Sequence, residues 1–104
     1  MYDELTLVRE INTKDEYGMT ETTTSERTVM CEVHSITRQE FFEAGRNGLN
    51  PEFQMTVFAD DYEGERVCKY KGLQYGIYRT YRTGDWIELY IERKGGLIES
   101  GASV

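Results

Sequence analysis

From Trp86 to Arg93 the side chains alternate without a break, with Ile87, Leu89 and Ile91 on one side and Glu88, Tyr90 and Glu92 on the other. A period of two belongs to a β-strand, because successive Cβ atoms point to opposite faces; a helix repeats near 3.6. One face of such a strand is buried and the other is wetted. The same beat returns at Phe53, Met55, Val57 and Ala59 against Gln54, Thr56 and Phe58. It returns again at Val29, Cys31 and Val33, on the second strand (Thr28–Ile36), against Met30, Glu32 and His34. Further strands are predicted over Leu5–Ile11, where the alternation falters at Arg9, and over Arg66–Tyr70 and Leu73–Arg82. Asp60-Asp61-Tyr62-Glu63-Gly64, Lys71-Gly72 and Thr83-Gly84-Asp85 read as turns. About six short strands make the chain mainly β, a small antiparallel barrel or sandwich.

A single helix interrupts this pattern. Thr37-Arg38-Gln39-Glu40 is a capping box, in which the Thr hydroxyl accepts from the Glu40 N–H and the Glu carboxylate reaches back to the cap. Ile36 and Phe41 are spaced as a hydrophobic staple across it. The helix is expected over Arg38–Ala44, with Gly45 as its C-terminal stop, and Gly48-Leu49-Asn50-Pro51 as loop. Two stretches lack any core-forming pattern. Asn12–Arg27, with Gly18 and the run Thr22-Thr23-Thr24-Ser25, reads either as a long hairpin or as a loop, and carries Tyr17 and Met19 as candidate partner contacts. From Gly95 the chain is Gly/Ser-rich, so residues 1–94 are expected as one barrel domain and 95–104 as a mobile tail.

At 104 residues a chain can bury roughly two-thirds of its surface on folding, enough for a core without metal or disulfide staples. Mean hydropathy is low, at -0.63, but eight tyrosines and four phenylalanines supply the aromatic surface that a disordered chain lacks. Twelve basic against nineteen acidic side chains leave a net charge of -7. Gripping nucleic acid by its phosphates needs the opposite excess. No apolar run is long enough to span a membrane. Met1-Tyr2-Asp3-Glu4 has neither the basic nor the apolar region of a signal peptide, which points to a cytosolic product with Cys31 and Cys68 as free, buried thiols.

Candidate chemistry is sparse. Cys31 and His34 would point to opposite faces of one strand, so with Cys68 they do not form a metal site. Asp60, Asp61, Glu63 and Glu65 resemble a calcium loop at first sight, but the glycine is misplaced and Lys71 stands where the distal glutamate belongs. The cluster is therefore expected to be a solvated turn. No nucleophile–base pair or phosphate-binding glycine loop occurs, which implies a non-enzymatic protein without a cofactor. Tyr70, Tyr75, Tyr78 and Tyr81, interleaved with Arg79 and Arg82, could stack single-stranded bases. The plainer expectation is that Tyr75, Ile77 and Arg79 share one face, and Gln74, Tyr78 and Arg82 the other or its neighbour. The tyrosines then line a half-buried sheet or a subunit interface, with Tyr78, Arg79, Tyr81 and Arg82 as candidate subunit or partner contacts.

Taken in order, Thr37-Arg38-Gln39-Glu40-Phe41-Phe42-Glu43-Ala44, Met55-Thr56-Val57, Arg66-Val67, Tyr70-Lys71-Gly72-Leu73-Gln74-Tyr75-Gly76-Ile77 and Trp86-Ile87-Glu88-Leu89 form a series. The series, over about Leu5 to Arg93, resembles the head–tail joining (head-closure or stopper) family of long-tailed bacteriophages and prophages. The resemblance implies a small β-barrel with one short helix. It also implies a virion structural role at the neck, after assembly in the host cytoplasm. Subunits of this kind form a ring beneath a portal-side adaptor, seal or gate the channel that double-stranded DNA crosses, and dock the tail terminator or another tail protein. The channel-facing segment would map on to Arg38–Phe53, with Gly45, Arg46, Asn47, Gly48, Leu49 and Asn50 at its tip. Asn12–Arg27 departs from the family pattern, since it contains no Trp. Two other roles fit the same features: a tail terminator or tail adaptor ring, and a barrel that binds single-stranded nucleic acid.

Overall fold

The computed structural model describes residues 2–93; the expected tail at 95–104 lies outside them. Six strands form one closed antiparallel barrel: β1 (Tyr2–Lys14), β2 (Thr20–Ser35), β3 (Pro51–Phe58), β4 (Val67–Tyr70), β5 (Leu73–Thr83) and β6 (Trp86–Arg93). They lie in the order β1-β2-β3-β6-β5-β4. One helix, α1 (Arg38–Arg46), joins β2 to β3, and a short 3-10 turn at Ala59–Asp61 follows β3. Closure rests on a short seam between β1 and β4, Thr6↔Lys69, Leu7↔Cys68 and Val8↔Val67. Closing the sheet leaves its wall without an edge on which other strands could add.

The alternating residues fill the barrel. Leu5, Leu7, Met55, Val57, Cys68, Leu89 and Ile91 are fully buried, and Val29, Cys31, Tyr70 and Tyr75 complete the cluster, with Val33, Phe53, Ile77 and Ile87 packed against it. Cys31 and Cys68 are free thiols in this core. Burial pushes them up to about 11 and about 12 respectively, with the Asp3 charge adding to the first. His34 stands on the outer face, 3.2 Å from Glu32. Among the described residues no group of three or more His, Cys, Asp or Glu could hold a metal ion.

Several expectations are corrected at element ends. The first two strands are much longer than their apolar patterns, because hairpin pairing continues where the core stops. The helix runs past Ala44 to Arg46 and ends at Asn47, and the left-handed residue that follows is Gly48 (φ 78°) rather than Gly45. Gly45 and Arg46 are therefore helical, and the candidate channel loop shrinks to Asn47–Asn50. Phe41 is half-exposed, with its ring edge-on to Phe42 at 6.0 Å. The capping box is half made: Thr37 Oγ1 accepts from Glu40 N at 3.2 Å, but the Glu40 carboxylate is occupied elsewhere.

Candidate functional site

Two features stand apart from the barrel wall, a projecting arm and a latched helix. The arm is the outer part of the β1–β2 hairpin. Its register is unbroken from Tyr2↔Glu32 to Lys14↔Thr20, yet β1 pairs with β4 only at Thr6–Val8 and β2 pairs with β3 only from Glu32. The reason is legible in the inward-facing stripe. Leu5 and Leu7 give way to Arg9, and Cys31 and Val29 give way to Arg27. At that point the pair has nothing left to bury and leaves the barrel. Beyond Arg9 the hairpin runs to Lys14, about 20 Å at strand rise, and every residue from Arg9 to Glu26 is exposed. The arm accounts for a radius of gyration of 15.2 Å and extents of 49 × 37 × 23 Å, against about 13 Å for a compact chain of about 100 residues.

Polar contacts hold the arm in place of a core. Thr22 Oγ1 donates to Asn12 Oδ1 at 2.8 Å. At the tip the Asp15 carboxylate accepts from the Tyr17 and Met19 N–H groups, both at 2.9 Å, and Gly18 takes a positive φ of 80°. Tyr17 and Met19 are 82% and 66% exposed. At the root, Arg9 and Arg27 both reach Glu63 at 3.2 Å; Arg27 also donates to the Asp61 carbonyl and pairs with Glu65, the latter at 3.2 Å. Glu65 is buried and accepts from the Glu63 N–H at 2.8 Å. The acidic run expected as a solvated turn is thus partly an internal anchor, with Glu65 as the residue that sequence reasoning missed. Its only signal was the placement of two arginines where the apolar stripe ends.

The helix buries a single residue, Ala44, and is fastened by a polar latch. Tyr78 Oη donates to Glu40 at 2.8 Å, Arg79 pairs with the same carboxylate, and the Arg79 guanidinium lies 3.9 Å over the Tyr90 ring. These residues line a cleft of about 590 Å³ with Leu49 and Asn47. The latch exists because of a bulge. Ile77 pairs with Ile91, but the next pair is Arg79↔Tyr90, so Tyr78 is an extra residue. The inserted residue turns Arg79 to the outer face. This overturns the expectation that Tyr75, Ile77 and Arg79 share a side. Burial acts to raise the Glu40 pKa, yet the Arg79 and Tyr78 hydrogen bonds and the Arg79 charge hold it below the usual carboxylate range. Burial and the Glu40 contact push Tyr78 well above the usual tyrosine range.

The tyrosine–arginine strand is therefore dispersed. Tyr70 and Tyr75 are core, Tyr78 and Arg79 serve the latch, and Arg82 Nε donates to Gly84 O at 3.0 Å within its own turn. Of the four tyrosines Tyr81 is the one left exposed, at 57%. No family model matches the chain, and no curated protein matches it.

Proposed function

We propose that this chain is a non-enzymatic structural subunit that assembles with copies of itself, and specifically a head–tail connector ring protein of the head-closure kind. The observation that carries the reading is the arm. A closed barrel has no need of a 20 Å hairpin for its own stability, and an isolated two-stranded ribbon is marginal in water. A projection of this kind contributes when it meets a neighbour, and a ring requires such reaching, heterologous contacts. The ordered resemblance to head-closure proteins supports the neck of a virion as the place. The portal-side adaptor, the tail terminator or tail protein, and passing double-stranded DNA would be its neighbours. An acidic chain suits a DNA channel, because like charge keeps phosphates from sticking. In this reading Asn47–Asn50, beside the latch, forms the channel-facing tip.

A tail terminator or adaptor ring would use the same arm. The nucleic-acid reading draws less support, since the arginine needed for stacking, Arg79, is already paired with Glu40 and Tyr90. The test is to image assembled phage particles carrying a tagged version of the chain. Density for the tag between portal and tail is expected. Density along the tail tube would favour the adaptor role, and particles lacking the chain would overturn the proposal.

A further inference from the structure

One face of α1 is turned away from the barrel and takes no part in holding it. Ala44 is buried and Glu40 is latched to Tyr78 and Arg79, so both lie on the barrel side. At about 3.6 residues per turn, Arg38, Phe42 and Arg46, spaced i, i+4 and i+8, fall on the opposite side. Phe42 is 61% exposed. Among the described residues neither Arg38 nor Arg46 has a carboxylate within ion-pair distance. Glu43 does not neutralise them, since it lines the cleft and accepts from Gln39 at 3.2 Å.

The barrel wall carries the converse. On its outer face Glu32, Thr56, Glu88 and Tyr81 stand in one row across β2, β3, β6 and β5, with Phe58, Trp86 and Thr83 in the next. The Phe58 and Trp86 rings stack at 4.5 Å, 6° from parallel, and both are exposed, as is Tyr81. Exposed apolar clusters of this kind mark contact sites. Two carboxylates flank the rings. Glu32 has His34 beside it at 3.2 Å, and Glu88 accepts from the Tyr90 hydroxyl at 2.7 Å. Neither is paired with Lys or Arg among the described residues. Arg82 pairs with Ile87 across the sheet, so it belongs to the other face, and its Nε is bonded to Gly84 O. We infer that the Arg38–Phe42–Arg46 face of α1 docks on the Glu32–Glu88 row and the Phe58–Trp86 stack of a second copy of this chain.

Three features select that occupant. Two arginines without an acid meet two carboxylates without a basic partner, and an exposed phenylalanine between the arginines meets exposed rings. The spacings also agree. Arg38 and Arg46 are about 12 Å apart along the helix, and Glu32 and Glu88, two strands apart, about 10 Å. One helix laid across the strands therefore reaches both acids. Finally, the stripe points away from its own barrel, so only another molecule can close the match. Nucleic acid and anionic lipid are poor occupants, because the two carboxylates repel phosphates. The contact joins unlike faces, helix of one copy to wall of the next, as a ring requires. A nine-residue helix covers far less than the about 1,200–2,000 Å² of a stable interface, so this contact adds to that of the arm and sets the angle between neighbours. It rests on the self-assembly reading above.

Trp86 is the single tryptophan of the chain, so its emission reports on this wall alone. The experiment raises the concentration of the full chain while recording Trp86 emission and sedimentation together. We expect the emission to move to the blue as the chain associates. Arg38→Glu with Arg46→Glu leaves Trp86 untouched, yet should weaken association about tenfold and abolish the shift. Glu32→Lys with Glu88→Lys should do the same, and all four changes together should restore both. Dilute variants with wild-type emission are folded; the wild-type shift tests the contact even where a variant is not. Association without a shift, reversals that leave the association constant unchanged, or a fourfold variant no tighter than the double ones would each overturn the contact. Association without a shift removes this contact and leaves self-assembly standing, whereas a chain that stays monomeric at every concentration removes both.

Discussion

Leu5 and Leu7 are wholly buried in the barrel, while Ile11, four residues further along the same strand, is 39% exposed on the arm. The backbone is the same unbroken ladder in both places. What differs is the number of neighbours: in the wall each strand is flanked on both edges and covered on one face, and on the arm it has one flank and no cover. The wall holds itself by burial; the arm holds itself by local polar bonds and by the clamp of Arg9 and Arg27 on Glu63 and Glu65. One strand pair can thus serve stability at one end and recognition at the other, provided charged residues mark the boundary.

Substitutions should separate the two regions by size of effect. Leu89→Ala or Ile91→Ala removes core that no neighbour can refill, and should cost about 2–5 kcal/mol in denaturant unfolding. At the boundary, Arg27→Ala leaves the buried Glu65 carboxylate without its cation, and we expect a loss of about 1–3 kcal/mol by the same measurement. A loss near zero would show that the clamp is ornamental and that barrel and arm are not energetically joined there.

The helix latch should respond less. Glu40→Gln should cost about 1–2 kcal/mol, since hydrogen bonds to a charged group are lost. The pH dependence has a definite sign. Glu40 titrates lower in the folded chain than when free, so its contribution is complete above the ordinary glutamate value of about 4.3 and is lost as pH falls through the lower folded value. The wild type should therefore lose more stability on acidification than Glu40→Gln does. Thr37→Ala should cost about 1 kcal/mol through the lost N-cap, measurable by the same unfolding curves.

The barrel was legible because its signal is periodic: Ile87, Leu89 and Ile91, or Met55 and Val57, have one side to hide. The helix was legible because Thr37 is a good cap with few other uses. The arm was not resolved beyond hairpin or loop, because a strand with both faces wet has no hydrophobic period, and threonine-rich runs suit either state. Two errors share a cause. Arg79 changed faces and Glu40 left its capping box because of one bulge at Tyr78, and a bulge shifts the side-chain parity without altering composition. Glu65 was missed because its partner Arg27 lies 38 positions away, beyond the reach of local pattern.

The central claim is that the barrel folds without the arm and assembles through it. Replacing Glu10–Thr24 with Asn-Gly would join the opposed pair Arg9 and Ser25, a hydrogen-bonded pair of the ladder, by a two-residue turn suited to a hairpin. The account predicts thermal unfolding within a few tenths of a kcal/mol of the full chain, since exposed segments carry few buried contacts, together with loss of concentration-dependent association in sedimentation. A truncated chain that fails to fold, or that folds and still associates as the full chain does, would contradict it.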